Sequence, residues 1–124
     1  AISCAAGLAV LEIMRAPTFG AHVLAQGENL VEGLERLRRV HEGIGDVRSL
    51  GLMAGMELVR KRETREPDAE MRDRIVRECF ERGLALLPAG ESAIRFSPPL
   101  VIEKDDIDAG LSILDGVLSR ICGR

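Results

Sequence analysis

Tryptophan and tyrosine are absent from this chain and phenylalanine occurs three times, so stacking on bases, sugars or flat ligands is poorly supplied. A planar cofactor would need another segment to sandwich it. Histidine is scarce, with only His22 and His41, and the three cysteines Cys4, Cys79 and Cys122 are widely spaced with no CxxC pair. That pattern supplies neither a disulfide framework nor a zinc ligand set, and the expectation is three reduced, mostly buried thiols. No metal site is expected. No apolar run approaches the roughly 20 residues that span a bilayer, and no basic flank with a cleavage site opens the chain. The expected location is therefore the cytosol, without a membrane partner. A broad basic face is missing too: 17 Lys and Arg stand against 20 Asp and Glu, a net charge of −3. Nucleic acid is accordingly not an expected partner. The one basic cluster, Arg60 to Arg65, is interrupted by Glu63 and Thr64 and reads as a solvated hairpin tip.

What is there is ordinary globular material: 124 residues, 46% hydrophobic and 30% charged, enough for one domain over residues 1–124 with one core. Ala1 to Met14 is rich in Ala, Leu and Ile and reads as a helix without a capping residue ahead of it, as at a cut end. Pro17 interrupts, and Thr18 is the expected N-cap of a second helix. Its stripe of Val23, Gly27, Leu30, Leu34 and Leu37 puts one apolar face on a core. Glycines at 43, 45, 51 and 55 among Val, Leu and Met suit two short strands or one bent strand. Gly51 and Gly55 read as packing positions, with close approach of the sheet to a site as the alternative.

After the charged tip, Pro67 and Asp68 start a helix striped by Met71, Ile75 and Cys79, flanked by Val76 and Phe80, that ends at Gly83. Leu84 to Leu87 reads as a strand, Pro88 to Ser92 as a turn and Ala93 to Phe96 as the antiparallel partner, stopped by Pro98 and Pro99. Ile107, Leu111, Leu114, Leu118 and Ile121 stripe a last helix, with Asp105 and Asp106 at its positive end. The fold expected is an α/β (α+β) sandwich: a small, mainly antiparallel sheet with helices packed on one face.

Specific strings carry a resemblance. Residues 44–68, IGDVRSLGLMAGMELVRKRETREPD, and 94–114, IRFSPPLVIEKDDIDAGLSIL, resemble the stretch after the long helix and the terminal hairpin, Pro-Pro-Leu segment and closing helix of class III pyridoxal-phosphate aminotransferases. IVRECFERGLALLPAG is similar to the helix and strand connecting them. AISCAAGLAVLEIM resembles the helix after the family's Gly-Asn-Pro turn. The likeness covers nearly the whole chain. Two departures are Ser49, where the family commonly has glycine, and Glu103, where a threonine or serine often caps the last helix.

The resemblance implies the C-terminal small domain of a fold type I enzyme that uses pyridoxal phosphate. It implies a homodimeric parent acting on an amino acid and a 2-oxo acid, with the 4-aminobutyrate, ornithine or acetylornithine types as candidates. The Ala-Gly-Glu-Ser hairpin before Ile-Arg-Phe leans toward the 4-aminobutyrate branch. A dialkylglycine decarboxylase, an aminomutase and amino-acid racemases share the family and stay open, and so does a non-catalytic interaction module. The resemblance also implies that the Schiff-base lysine and most cofactor contacts lie upstream in a large domain absent here, so the chain is expected to be inactive alone. Within the chain only Lys61 and Lys104 offer an amine, and each is expected to be exposed, without the enclosed pocket such a lysine needs.

One residue is expected to touch substrate. Arg95 lies in a short apolar strand, where a fixed guanidinium presents a planar fork to a carboxylate. The resemblance implies that the arginine at this position binds the substrate carboxylate. Read without it, a strand arginine is a surface or ion-pair residue. His22 and His41 lie toward opposite ends of one helix and are expected to be exposed or helix-end residues. Asp46 and Arg48 are expected to be structural, paired with each other or with the large domain. If the chain is a piece of a longer protein, an uncovered apolar face should make it self-associate.

Overall fold

Apolar residues spaced three and four apart bury one stripe of each of three helices, and alternating apolar residues bury one face of a sheet. In the computed structural model, which describes residues 1–122, the elements run α1 (Ile2–Met14), α2 (Pro17–Val40), β1 (Ile44–Leu50), β2 (Met53–Leu58), α3 (Ala69–Phe80), β3 (Leu87–Ala89), β4 (Ala93–Phe96) and α4 (Lys104–Cys122). The sheet is antiparallel throughout, in the order β1-β2-β4-β3. This is the α+β arrangement expected.

Alternation decides the two faces. Ala54, Met56 and Leu58 on β2 and Ile94 and Phe96 on β4 point into the core, while Arg95 between them is exposed. Leu30, Leu34 and Leu37 of α2, Ile75 and Cys79 of α3, and Leu111, Leu114 and Leu118 of α4 close that core from one side. The helix-free face therefore carries the residues between the buried ones.

The β1-β2 hairpin turns on Gly51 and Leu52, with Leu50 paired to Met53. Gly51 sits at φ 57°, the left-handed geometry that a two-residue hairpin turn demands of its first residue. A Cβ on Gly27 would lie 2.5 Å from the Gly51 carbonyl carbon, so two glycines let α2 rest directly on the turn. Gly51 is thus a packing position, as its sequence context suggests.

Several local readings differ from expectation. Helix α2 is capped by Ala16, with Pro17 in its first turn and no side-chain cap bond, so Thr18 is not the N-cap: proline's fixed φ starts the helix. The strand expected at Leu84 to Leu87 is displaced to Leu87–Ala89. Pro88 is tolerated there because β3 is an edge strand, paired only to β4. Phe80 is 72% exposed, one position off the Ile75–Cys79 stripe. Asp68 caps α3 as expected, accepting from the Met71 amide at 2.9 Å.

The tip after β2 is more than a solvated turn. Arg62 folds back beneath the end of α2, its Nε donating to the Ile44 carbonyl at 3.0 Å and its Nη2 to the carbonyls of His41, at 2.8 Å, and Arg38. The His41 and Arg38 carbonyls are oxygens that a helix end leaves without intrahelical partners. His41 is a helix-end residue, the C-cap of α2, but it is buried at 2% exposure and donates to Asp115 Oδ1 at 2.7 Å, tying α2 to α4. His22, half-buried, donates to the Ile102 carbonyl.

Helix α1 stands apart. None of its residues is buried, and its direction differs by 77° from that of α2. Among the described residues, no single helix is long and apolar enough to cross a membrane.

Candidate functional site

Strand register builds one row of side chains across the helix-free face. Arg48 on β1 stands opposite Gly55 on β2, Gly55 opposite Arg95 on β4, and Arg95 opposite Leu87 on β3. Directly opposed residues project to the same side of a sheet. The two arginines are thus two strand spacings apart, roughly 10 Å between backbones, with a glycine between them.

Their surroundings differ. Arg48 donates to Asp46 Oδ2 at 3.1 Å and to Glu57 Oε2 at 2.7 Å, and Glu57 also accepts from Ser92 Oγ at 3.1 Å. Asp46 and Arg48 therefore do pair, and Glu57 is the third member that the sequence reading missed. Strand period two is the signal that would have found it, because Glu57 pairs directly with Asp46 across the ladder. The Arg95 side chain is exposed and, among the described residues, makes no hydrogen bond or ion pair. Some other arginines are engaged, Arg74, Arg82 and Arg120 all reaching Glu78, whereas Arg15, Arg36, Arg39, Arg65 and Arg77, none of them on the sheet, are exposed. Arg95 also borders a cavity of about 300 Å³ between the end of the sheet and α4, with Leu87, Ser97, Pro98, Ile102 and Asp106 in its wall.

The other candidates do not join this site. Lys104 pairs with Asp108 one turn along α4 and is exposed; Lys61 is exposed in the tip. Neither has the enclosed, desolvated setting that an amine needs to hold an aldehyde, so the residues present do not fit pyridoxal phosphate by themselves. No cluster of three or more His, Cys, Asp or Glu that could hold a metal occurs among the described residues. Cys79 is buried and Cys122 half-buried, but Cys4 is exposed, contrary to the reading of the thiols as mostly buried. Burial pushes the Cys79 thiol up to about 11, opposed in part by the Arg82 charge, and burial also raises Cys122. Neither is a ready nucleophile.

The family model for class III aminotransferases matches residues 1–118. The chain belongs to the class III aminotransferases. Among relatives of this chain, acetylornithine aminotransferase of Caldanaerobacter subterraneus is 37% identical over 97% of the chain and 28% of that protein. The 5-aminovalerate aminotransferase of Pseudomonas aeruginosa is 40% identical over 91% of the chain and 27% of that protein. An amine transaminase from an uncultivated Pseudomonas species, solved in its PLP-bound form, superposes with a TM-score of 0.87 at 35% identity, over 97% of this chain and 27% of that one. The chain therefore spans little more than a quarter of the length of the proteins it resembles.

Proposed function

We propose that this chain is the C-terminal small domain of a pyridoxal-phosphate-dependent aminotransferase that moves an amino group from an amino acid to a 2-oxo acid, and that Arg95 binds a substrate carboxylate. The observation that carries the reading is the unpaired guanidinium of Arg95 on the helix-free face, in a sheet whose neighbouring arginine is fully engaged. Arginine keeps its proton at any working pH, so the role is to hold and orient. A bidentate fork on a rigid strand aligns the carboxylate and, through it, the carbon bearing the amino or oxo group.

The cofactor, its lysine and the catalytic proton transfers belong, on this reading, to polypeptide outside the chain. When bound, pyridoxal phosphate supplies an electron sink at the substrate carbon. Lys61 and Lys104 are both unsuited to that amine, so the chain alone is inactive. The parent is a cytoplasmic homodimer acting on ω-amino acids of the 4-aminobutyrate, 5-aminovalerate or acetylornithine kind. The 5-aminovalerate and acetylornithine relatives support that substrate range.

The test is Arg95→Ala in the full-length protein. Losing the fork is expected to raise KM for amino-acid and 2-oxo-acid substrates by roughly tenfold or more. Unchanged KM would remove the role.

A further inference from the structure

The glycines of this sheet separate by cause. Gly51 is at positive φ, and a Cβ on Gly45 would meet Val59 Cγ1 at 2.7 Å. Gly55 has neither reason: its φ is ordinary and a Cβ there would meet nothing within 4 Å. Yet it sits in β2, an inner strand of the sheet, where glycine weakens a strand and a β-branched residue would be favoured. Nothing in the packing requires a glycine, so the expectation that Gly55 is a packing position is not met. Glycines 7, 20 and 116 are likewise uncrowded, but they lie on helices, away from the Arg95 row.

What distinguishes Gly55 is its pair of neighbours, Arg48 on one side and Arg95 on the other. A side chain at 55 would project to the same face, with its Cβ about 5 Å from that of Arg95. The Arg48 side is closed, because that guanidinium is held by Asp46 and Glu57. The Arg95 side is open. An empty position beside an unengaged fork is where a bound group, or the backbone of another segment, comes close to a strand.

We infer that Gly55 is a specificity-determining residue: its missing side chain keeps clear the space beside Arg95 that the carboxylate end of a substrate occupies. The inference rests on the reading of Arg95 as the carboxylate binder and extends it to the neighbouring strand. A methyl group at 55 narrows that space, and an isopropyl group fills it. Because the position is uncrowded, both substitutions leave the fold intact.

The experiment compares Gly55→Ala, Gly55→Val and Arg95→Ala in the full-length protein. It measures KM and kcat for 5-aminovalerate and for 1-phenylethylamine, which has no carboxylate, and glutarate binding by calorimetry. Far-ultraviolet circular dichroism and the thermal midpoint check folding. Gly55→Val is expected to weaken glutarate binding and raise KM for 5-aminovalerate roughly tenfold, Gly55→Ala by less, with kcat and the amine held within about twofold. If Arg95→Ala weakens carboxylate binding but Gly55→Val does not, the inference is overturned and the role of Arg95 stands. Equal losses on the carboxylate and the amine, or a lowered thermal midpoint, would make Gly55 a structural residue and overturn it as well. If Arg95→Ala leaves glutarate binding unchanged, both readings fall together.

Discussion

At the scale of single residues, the contrast is between polar groups that hold the fold together and one that does not. Arg62 satisfies carbonyls at the end of α2, so Arg62→Ala strands buried acceptors and is expected to lower stability by roughly 1–3 kcal/mol in denaturant melts. Asp68→Ala removes the cap of α3 and is expected to cost about 1 kcal/mol by the same measurement. Arg95→Ala, which removes no described contact, should leave the melt unmoved. The Cys79 thiol adds a pH dependence. Its pKa rises from 9.0 to about 11 on folding, so the unfolded chain loses this proton first and the folded state is favoured less as pH rises between those values. The contribution is complete below about pH 9 and gone above about 11; Cys79→Ala is expected to flatten alkaline stability across that window. Of these residues, Asp68 was readable as a cap from its place before an apolar stripe. Arg62 was not, because its three acceptors come from the end of one helix and the start of a strand, brought near only by folding.

Among the elements, α2, α3 and α4 each bury a stripe against the sheet, and α1 buries nothing. A chain starting at residue 17 is therefore expected to unfold at the same denaturant midpoint as the whole chain. Amides of α1 are expected to exchange with solvent far faster than those of α2, measured by mass spectrometry. The helix stripes were legible because period 3.6 and burial agree over several successive turns. Strand β3 starts three residues later than expected because the apolar run Leu84 to Leu87 advertises a strand, while pairing follows the register of β4, which puts Leu87 opposite Arg95. Gln26 and Gly33 are also buried on α2, although neither is apolar enough to be read as core. Gly33 is there because Leu111 of α4 packs onto its bare backbone.

For the whole molecule, the uncovered surfaces are the helix-free face, with Leu50 79% and Met53 56% exposed, and α1, with Ile2 at 88%. Apolar patches of that kind associate in water, so the isolated chain is expected to self-associate in light scattering, and dilution or mild detergent to reverse it. Added pyridoxal phosphate is expected to give no lysine-dependent absorbance band with this chain alone. Family and fold class could be read from the sequence, because periodicity and ordered strings are local properties. The sequence also placed Asp46 and Arg48 together, two residues apart on one strand face. It could not say that Glu57 completes their pairing, that His41 is buried against Asp115, or that Gly55 alone lies between two arginines. Those facts depend on which residues of distant segments stand opposite one another, and that is decided by strand register and helix docking, where many weak contacts are optimised at once.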